Sequence, residues 1–206
     1  MTKKYFLGIA AAASLATFSQ ITAAGGFNYT FAEAGYRNVD SDDYSGDGFQ
    51  VGFSFGATDY MHVVGTYSRL WVDDIDGASS VDVDIDEFTI GFGGHYSITD
   101  KIDLAGTLVY VDDEYTGDAR PYSLGYKTNI NESEDGYQAT VYGRIQVLDK
   151  LEMTPHVVHR DVGDSDTGFG LGLVYDLTRK FAIRVRGTHF SDDSTTNLFV
   201  GMRLNM

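Results

Sequence analysis

The feature that most constrains this chain is a period-two alternation that returns along most of its length. Successive side chains of an extended strand point to opposite faces. In residues 49–56, Phe49, Val51, Phe53 and Phe55 share one face while Gln50, Gly52, Ser54 and Gly56 share the other. Residues 88–98 repeat it, with Phe88, Ile90, Phe92, Gly94, Tyr96 and Ile98 against Thr89, Gly91, Gly93, His95 and Ser97. The same alternation runs through 102–110, 137–147, 151–159, 168–176, 181–189 and 197–206, and less clearly through 27–37 and 61–71. In 27–37 the phase is open, because Phe27, Tyr29 and Phe31 favour one face while Ala32, Ala34 and Tyr36 favour the other. The result is ten segments of roughly 9 to 11 residues, the length with which a tilted strand crosses a bilayer.

Composition supports strands: 24 Gly and 2 Pro accompany 14 Tyr and 13 Phe, and aromatics favour strands while Gly serves tight turns. With 43% apolar residues the chain is no disordered polymer. No segment reaches the ~18 consecutive apolar residues of a spanning helix. The absence of Cys removes disulfides and thiolate chemistry. A net charge of -15 argues against nucleic acid as a partner, since that affinity comes from basic side chains displacing counterions.

The connections alternate in kind. Thr58-Asp59, Thr99-Asp100-Lys101, Asp149-Lys150 and Thr178-Arg179-Lys180 are short, whereas 38–47, 72–86, 111–136, 161–167 and 191–196 are longer, polar and rich in Asp. Those five stretches hold 22 of the 30 acidic residues against two bases, Arg120 and Lys127, a net of -20. An even strand count with short turns at one end and long loops at the other is the plan of a closed antiparallel transmembrane β-barrel: all-β, short periplasmic turns, long acidic extracellular loops. The apolar faces then belong to lipid: Met61, Val63, Leu104, Leu108, Ala139, Val141, Met153, Val157, Leu171, Leu173, Ile183, Val185, Val200 and Met202. A charge on that face would cost ~2–4 kcal/mol at the midplane. Phe49, Tyr67, Trp71, Phe88, Tyr110, Tyr137 and Phe169 toward the long loops, and Phe55, Tyr96, Tyr175 and Phe181 toward the short turns, form two aromatic bands. Pro155 sits mid-strand, where a missing N–H interrupts the ladder, and predicts a local bulge.

Ahead of the strands, Lys3 and Lys4 precede an apolar run from Phe6 to Phe18 and the small residues Thr22-Ala23-Ala24. That layout predicts a secretory signal peptide over 1–24, leaving a single barrel domain over 25–206 in a bacterial envelope.

Taken together, the leader, hairpins such as Phe53-Ser54-Phe55-Gly56-Ala57-Thr58-Asp59 and the closing segment Leu198 to Met206 resemble the small outer-membrane β-barrel proteins of Gram-negative bacteria, the broad OmpA/OmpX-like group. The resemblance covers the whole mature chain. It implies the bacterial outer membrane as location, and outer-membrane lipid and the barrel-assembly machinery as partners. Members usually end in an aromatic residue that this machinery reads, whereas this chain alternates Leu198, Val200, Met202, Leu204 and ends in Met206.

Function would sit on the inward face or at the outer rim. Glu33, Glu87, Asp103, Arg144, Glu152, His156, Arg160, Arg184, Arg186 and Arg203 share the lumenal phase, with His62, His95 and Asp176. Buried charges must be paired, so the expectation is an ion-pair network that plugs a narrow lumen; a passive, porin-like channel is the alternative. Gly168, Gly170 and Gly172 beside Arg184 and Arg186 set small against large and favour the plug. A rim protease would need Asp and His groups converging on a water, with Asp73, Asp74, His159, Asp161, His189 and Asp192 as candidates, but His159 and His189 fall in the lipid-facing phase. No nucleophile, cofactor or metal-ligand motif is present. The sequence therefore reads as a non-enzymatic outer-membrane protein with a structural or surface-interaction role, its loops open to an extracellular ligand. Asp82, Asp84 and Asp86, with Asp73, Asp74 and Asp76 across the same hairpin, are candidates for weak Ca²⁺ or Mg²⁺ association.

Overall fold

In the computed structural model, which describes residues 26–206 except 43, 76–77, 122–127 and 193, the alternating segments become β1 (Phe31–Asp40), β2 (Tyr44–Gly56), β3 (Met61–Ile75), β4 (Ala78–Thr99), β5 (Ile102–Pro121), β6 (Thr128–Leu148), β7 (Leu151–Val162), β8 (Asp164–Asp176), β9 (Phe181–Phe190) and β10 (Thr196–Asn205). Each strand pairs antiparallel with its sequence neighbours. β1 closes on β10, from Phe31↔Asn205 to Asp40↔Thr196, so the barrel has no edge at membrane depth. All the residues assigned above to the lipid face are exposed except Met153, which is half-buried. Rings of the band toward the acidic end meet in two groups: the Phe49 ring centre lies 5.9 Å from that of Tyr67 and 6.1 Å from that of Trp71, and Tyr110 lies 6.1 Å from Tyr137.

Three hairpin turns at the opposite end share one device. The hydroxyl of Thr58 accepts from the Tyr60 and Met61 N–H groups, that of Thr178 from Lys180 and Phe181, and that of Thr99 from Lys101. A short hydroxyl side chain thus satisfies backbone donors that the reversal strands.

The acidic end differs from a set of irregular loops. Most of 72–86 and 111–136 continues β3, β4, β5 and β6 as paired strands, with β4 22 residues long and β6 21. At ~3.3 Å per residue a strand of this length spans about 70 Å, far more than a bilayer requires. The physical reason is the alternation of Val83 and Ile85 with Asp82, Asp84 and Asp86: β-branched side chains turn inward and carboxylates outward. Between β7 and β8 the connection is a single residue, Gly163, rather than a loop over 161–167. Gly163 has φ +66, and a Cβ there would lie 2.4 Å from Glu134 Oε2, so only glycine fits without strain.

Two further expectations are corrected. The bulge at Pro155 is absent: the β6–β7 ladder skips Gly143 and Arg144 and resumes at Ile145↔Met153 in unchanged register, while Pro155 keeps its pairing with Leu171 of β8. The segment before β1 is no strand. Phe27 and Tyr29 are buried inside the barrel, and the phase of β1 proper sends Glu33, Arg37 and Val39 inward and Ala34 and Tyr36 outward.

Candidate functional site

The inward face is layered along the barrel axis. At the short-turn end, Phe27, Tyr29 and Ala105 pack together with Tyr142 against them. At the acidic end, Val39, Leu70, Val72, Val83 and Ile85 form a second apolar layer, joined by Tyr44, Tyr115 and Ile130. Val109, Val111 and Val162 form a third with Val64. Polar and charged side chains occupy the levels between these clusters, around an internal cavity of about 250 Å³.

Arg144 organises the short-turn level. Its Nε and Nη2 each donate to Glu152 at 2.7 Å, a two-pronged contact that matches guanidinium to carboxylate. Its Nη1 donates to the Asn28 carbonyl at 2.9 Å, and the guanidinium lies 4.8 Å and 4.6 Å from the ring centres of Phe27 and Tyr29. Tyr29 stacks on His95 with centroids 3.7 Å apart and donates its hydroxyl to Asp103 at 3.0 Å. The segment preceding β1 is therefore clamped across the barrel mouth by residues of β4, β5 and β6.

At the middle level, Glu33 accepts from Arg184 at 2.6 Å and from Arg203 at 3.4 Å. Arg203 also sits 3.8 Å from the Phe31 ring centre, and Arg186 5.6 Å from that of Phe199. His156 Nε2 pairs with the Thr188 hydroxyl at 2.9 Å. A Cβ on Gly170 would come within 2.5 Å of that nitrogen, so the glycine makes room for the imidazole. Nearer the acidic end, Glu87 accepts from Arg37 at 3.1 Å and Arg160 at 2.9 Å, Arg160 also binds Asp113, and Arg37 reaches Ser68 and Asn197.

All ten residues read as lumenal from the sequence face inward, but not all form ion pairs. Asp103 bonds Tyr29 rather than an arginine, His156 bonds Thr188, and Arg186 has no carboxylate partner among the described residues, its polar contact being Gln50 Oε1 at 3.4 Å. Three members were missed. Arg37 was hidden by the open phase of 27–37, Asp113 by its assignment to a loop, and Tyr29 because nothing in its neighbourhood marks a segment that turns into the lumen.

At the rim, Asp82 and Asp84 line the outward face of β4 with Asp86. Asp86 is engaged by Arg69, at 2.7 Å and 2.6 Å, and by the Tyr67 hydroxyl. At the level of the aromatic band, in register with Arg69 and Phe49, partial burial works against the Asp86 carboxylate, yet these bonds outweigh it and hold the carboxyl below its ordinary range. Among the described residues no three Asp, Glu or His side chains converge in the manner of a metal site. Asp76 and the side chains of Asp73 and Asp74 lie outside the described residues. His159 and His189 project outward and bond Thr167 and Thr196, away from the exposed Asp161 and Asp192. The predicted leader, 1–24, also lies outside the described residues.

No protein-family model matches the sequence, and no curated protein matches it. Solved structures do match in fold. The β domain of the Bordetella autotransporter BrkA aligns at 9% identity and TM-score 0.52, covering 85% of this chain and 98% of that one. Ail of Yersinia pestis aligns at 10% identity and TM-score 0.41, over 87% and 99%. Neisserial surface protein A aligns at 10% identity and TM-score 0.44, over 86% and 96%. At such identities the likeness is one of architecture. With its closed ten-strand ladder, apolar belt and paired aromatic bands, the chain is a β-barrel of the outer-membrane type.

Proposed function

We propose that this protein is a non-enzymatic integral barrel of the outer membrane whose lumen is closed by its own side chains, with a structural or surface-interaction role carried by its acidic outer wall. The observation that carries the reading is the sequence of layers inside: Phe27 and Tyr29 beneath Arg144, the charged middle, then the apolar cluster around Val39 and Ile85. Apolar side chains line the lumen toward each end, and the ion pairs between them tie β1 to β4 and β9, and β7 to β4 and β5. Exposed acidic residues Asp82, Asp112, Glu132, Glu134 and Asp135 face solvent on β4, β5 and β6 beyond the membrane, where they suit a cationic partner, Ca²⁺ and Mg²⁺ included, and repel edge-to-edge pairing.

Planar-bilayer recording of the purified barrel tests closure. Negligible steady conductance is expected. Stable ion-selective currents would overturn the plug in favour of a passive channel, the second reading, which the internal cavity favours.

A further inference from the structure

Among the described residues, the tall wall of the barrel ends in an uncovered sheet edge. β5 and β6 stay paired from Ile102↔Ile145 out to Ala119↔Thr128, whereas the β6–β7 ladder stops at Gly136↔Val162 and the chain turns back at Gly163. Residues 128–135 of β6 therefore have β5 on one side and, among the described residues, no strand on the other. Near the opposite end of β6 the N–H of Gln146 donates to the Lys101 carbonyl, on the β5 side. The β5–β6 register is unbroken from there outward, so the even-numbered residues of β6 direct their backbone groups to β5. The odd-numbered Asn129, Asn131 and Ser133 turn their N–H and C=O groups to the open side, and all three are exposed.

An open edge is a template for another strand, and the side chains around this one decide which. Glu132 and Glu134 stand two residues apart on one face of β6, and Asp161 and Asp164 lie on the β7–β8 hairpin beside them; all four are exposed. The Glu134 carboxylate reaches Gly163, which brings the two acidic sets together. A second copy of this edge, paired antiparallel about Ser133, would set Glu132 and Glu134 against their own counterparts, and like charges directly opposite are destabilising. A strand with Lys or Arg at every second position places one base opposite each glutamate instead, because side chains on one face recur every two residues. We propose that residues 128–135 of β6 are a strand-addition site for an extended basic segment of a partner protein. The backbone groups of Asn129, Asn131 and Ser133 supply the ladder, and Glu132 and Glu134 select by charge. The proposal rests on the surface-interaction reading of the acidic wall and narrows it to one edge and one class of partner.

The test uses the full mature barrel in detergent and two capped peptides of about seven residues, a common strand length. One alternates Lys with Thr. The other has the same sequence but is N-methylated at two successive central residues, so whichever side of its backbone meets β6 lacks a donor. Binding is followed by amide hydrogen exchange resolved by NMR. The unmodified peptide is expected to bind, less tightly as salt is raised, and to slow exchange at Asn129, Asn131 and Ser133 with no change at Ile130 and Glu132, whose N–H groups already face β5. Ser133→Pro removes an outward N–H without touching the β5 ladder and should weaken binding roughly tenfold. Glu132→Gln together with Glu134→Gln should weaken it roughly fivefold. Equal binding of both peptides would overturn strand addition while leaving the acidic wall as an attractor of cations. Failure of both to bind would overturn that reading of the wall as well. Protection of the same amides on concentrating the barrel alone would overturn the proposal in favour of a second copy. If Ser133→Pro does not assemble, the comparison of the two peptides on the wild-type barrel decides the matter unaided.

Discussion

Glu33 is the side chain on which most of the middle of the lumen depends, since Arg184 and Arg203 both turn to it and it is buried. Glu33→Gln should therefore destabilise the barrel by on the order of 3–5 kcal/mol, the cost of leaving buried charge uncompensated, measured as a lower midpoint of urea unfolding in lipid. Asp86 is a different case. Its partner Arg69 is 40% exposed, so solvent screens the pair and Asp86→Asn should cost less than ~1 kcal/mol. Because the folded carboxyl is held below its unfolded value, that contribution is complete above the ordinary carboxylate range and disappears as pH falls through the folded value. A pH titration of unfolding midpoints should thus bring wild type and Asp86→Asn together only in acid. Residue identity in the lumen was legible wherever strand phase was: Arg144, Arg160, Arg184 and Arg203 follow from period two alone. Pairing was not, because partners such as Glu33 and Arg184 lie 151 residues apart, and only barrel closure decides which inward groups meet.

Elements differ in how plainly the chain announces them. Turns at Thr58, Thr99 and Thr178 are marked by a hydroxyl beside charged residues, and the strands between them by clean alternation. The outer parts of β4, β5 and β6 were obscured because abundant Asp and Glu read as loop, although Val83, Ile85 and Val111 keep strand periodicity and merely reverse the usual rule by pointing apolar groups inward. Gly163 supplies a test of the tight β7–β8 reversal. Gly163→Ala should lower stability by about 1–2 kcal/mol from the left-handed backbone alone, whereas Gly163→Asn should be milder because Asn tolerates that region. Equilibrium unfolding of the two variants side by side checks the order. For the segment ahead of β1, replacing both Phe27 and Tyr29 by Ala should leave the strands paired but open the short-turn end. Faster hydrogen exchange at Asn28 and Thr30, with unchanged protection in β8 and β9, is the expected readout.

For the whole molecule, the apolar belt and closed ladder predict recovery with outer membranes and heat-modifiable migration on unboiled gels; recovery as a soluble periplasmic monomer would refute a lipid-facing exterior. The barrel is also uneven in height, tall along β4, β5 and β6 and low along β8, β9 and β10, so its acidic wall stands on one side only and any outer partner meets the molecule obliquely. The clamp on Phe27 and Tyr29 carries a consequence for time rather than shape. Its jaws, His95, Asp103 and Arg144, belong to three different strands, so they come together only when β4, β5 and β6 have paired. Phe27 and Tyr29 can therefore dock only after strands that follow them in the chain, and their docking serves as a latch on the short-turn end.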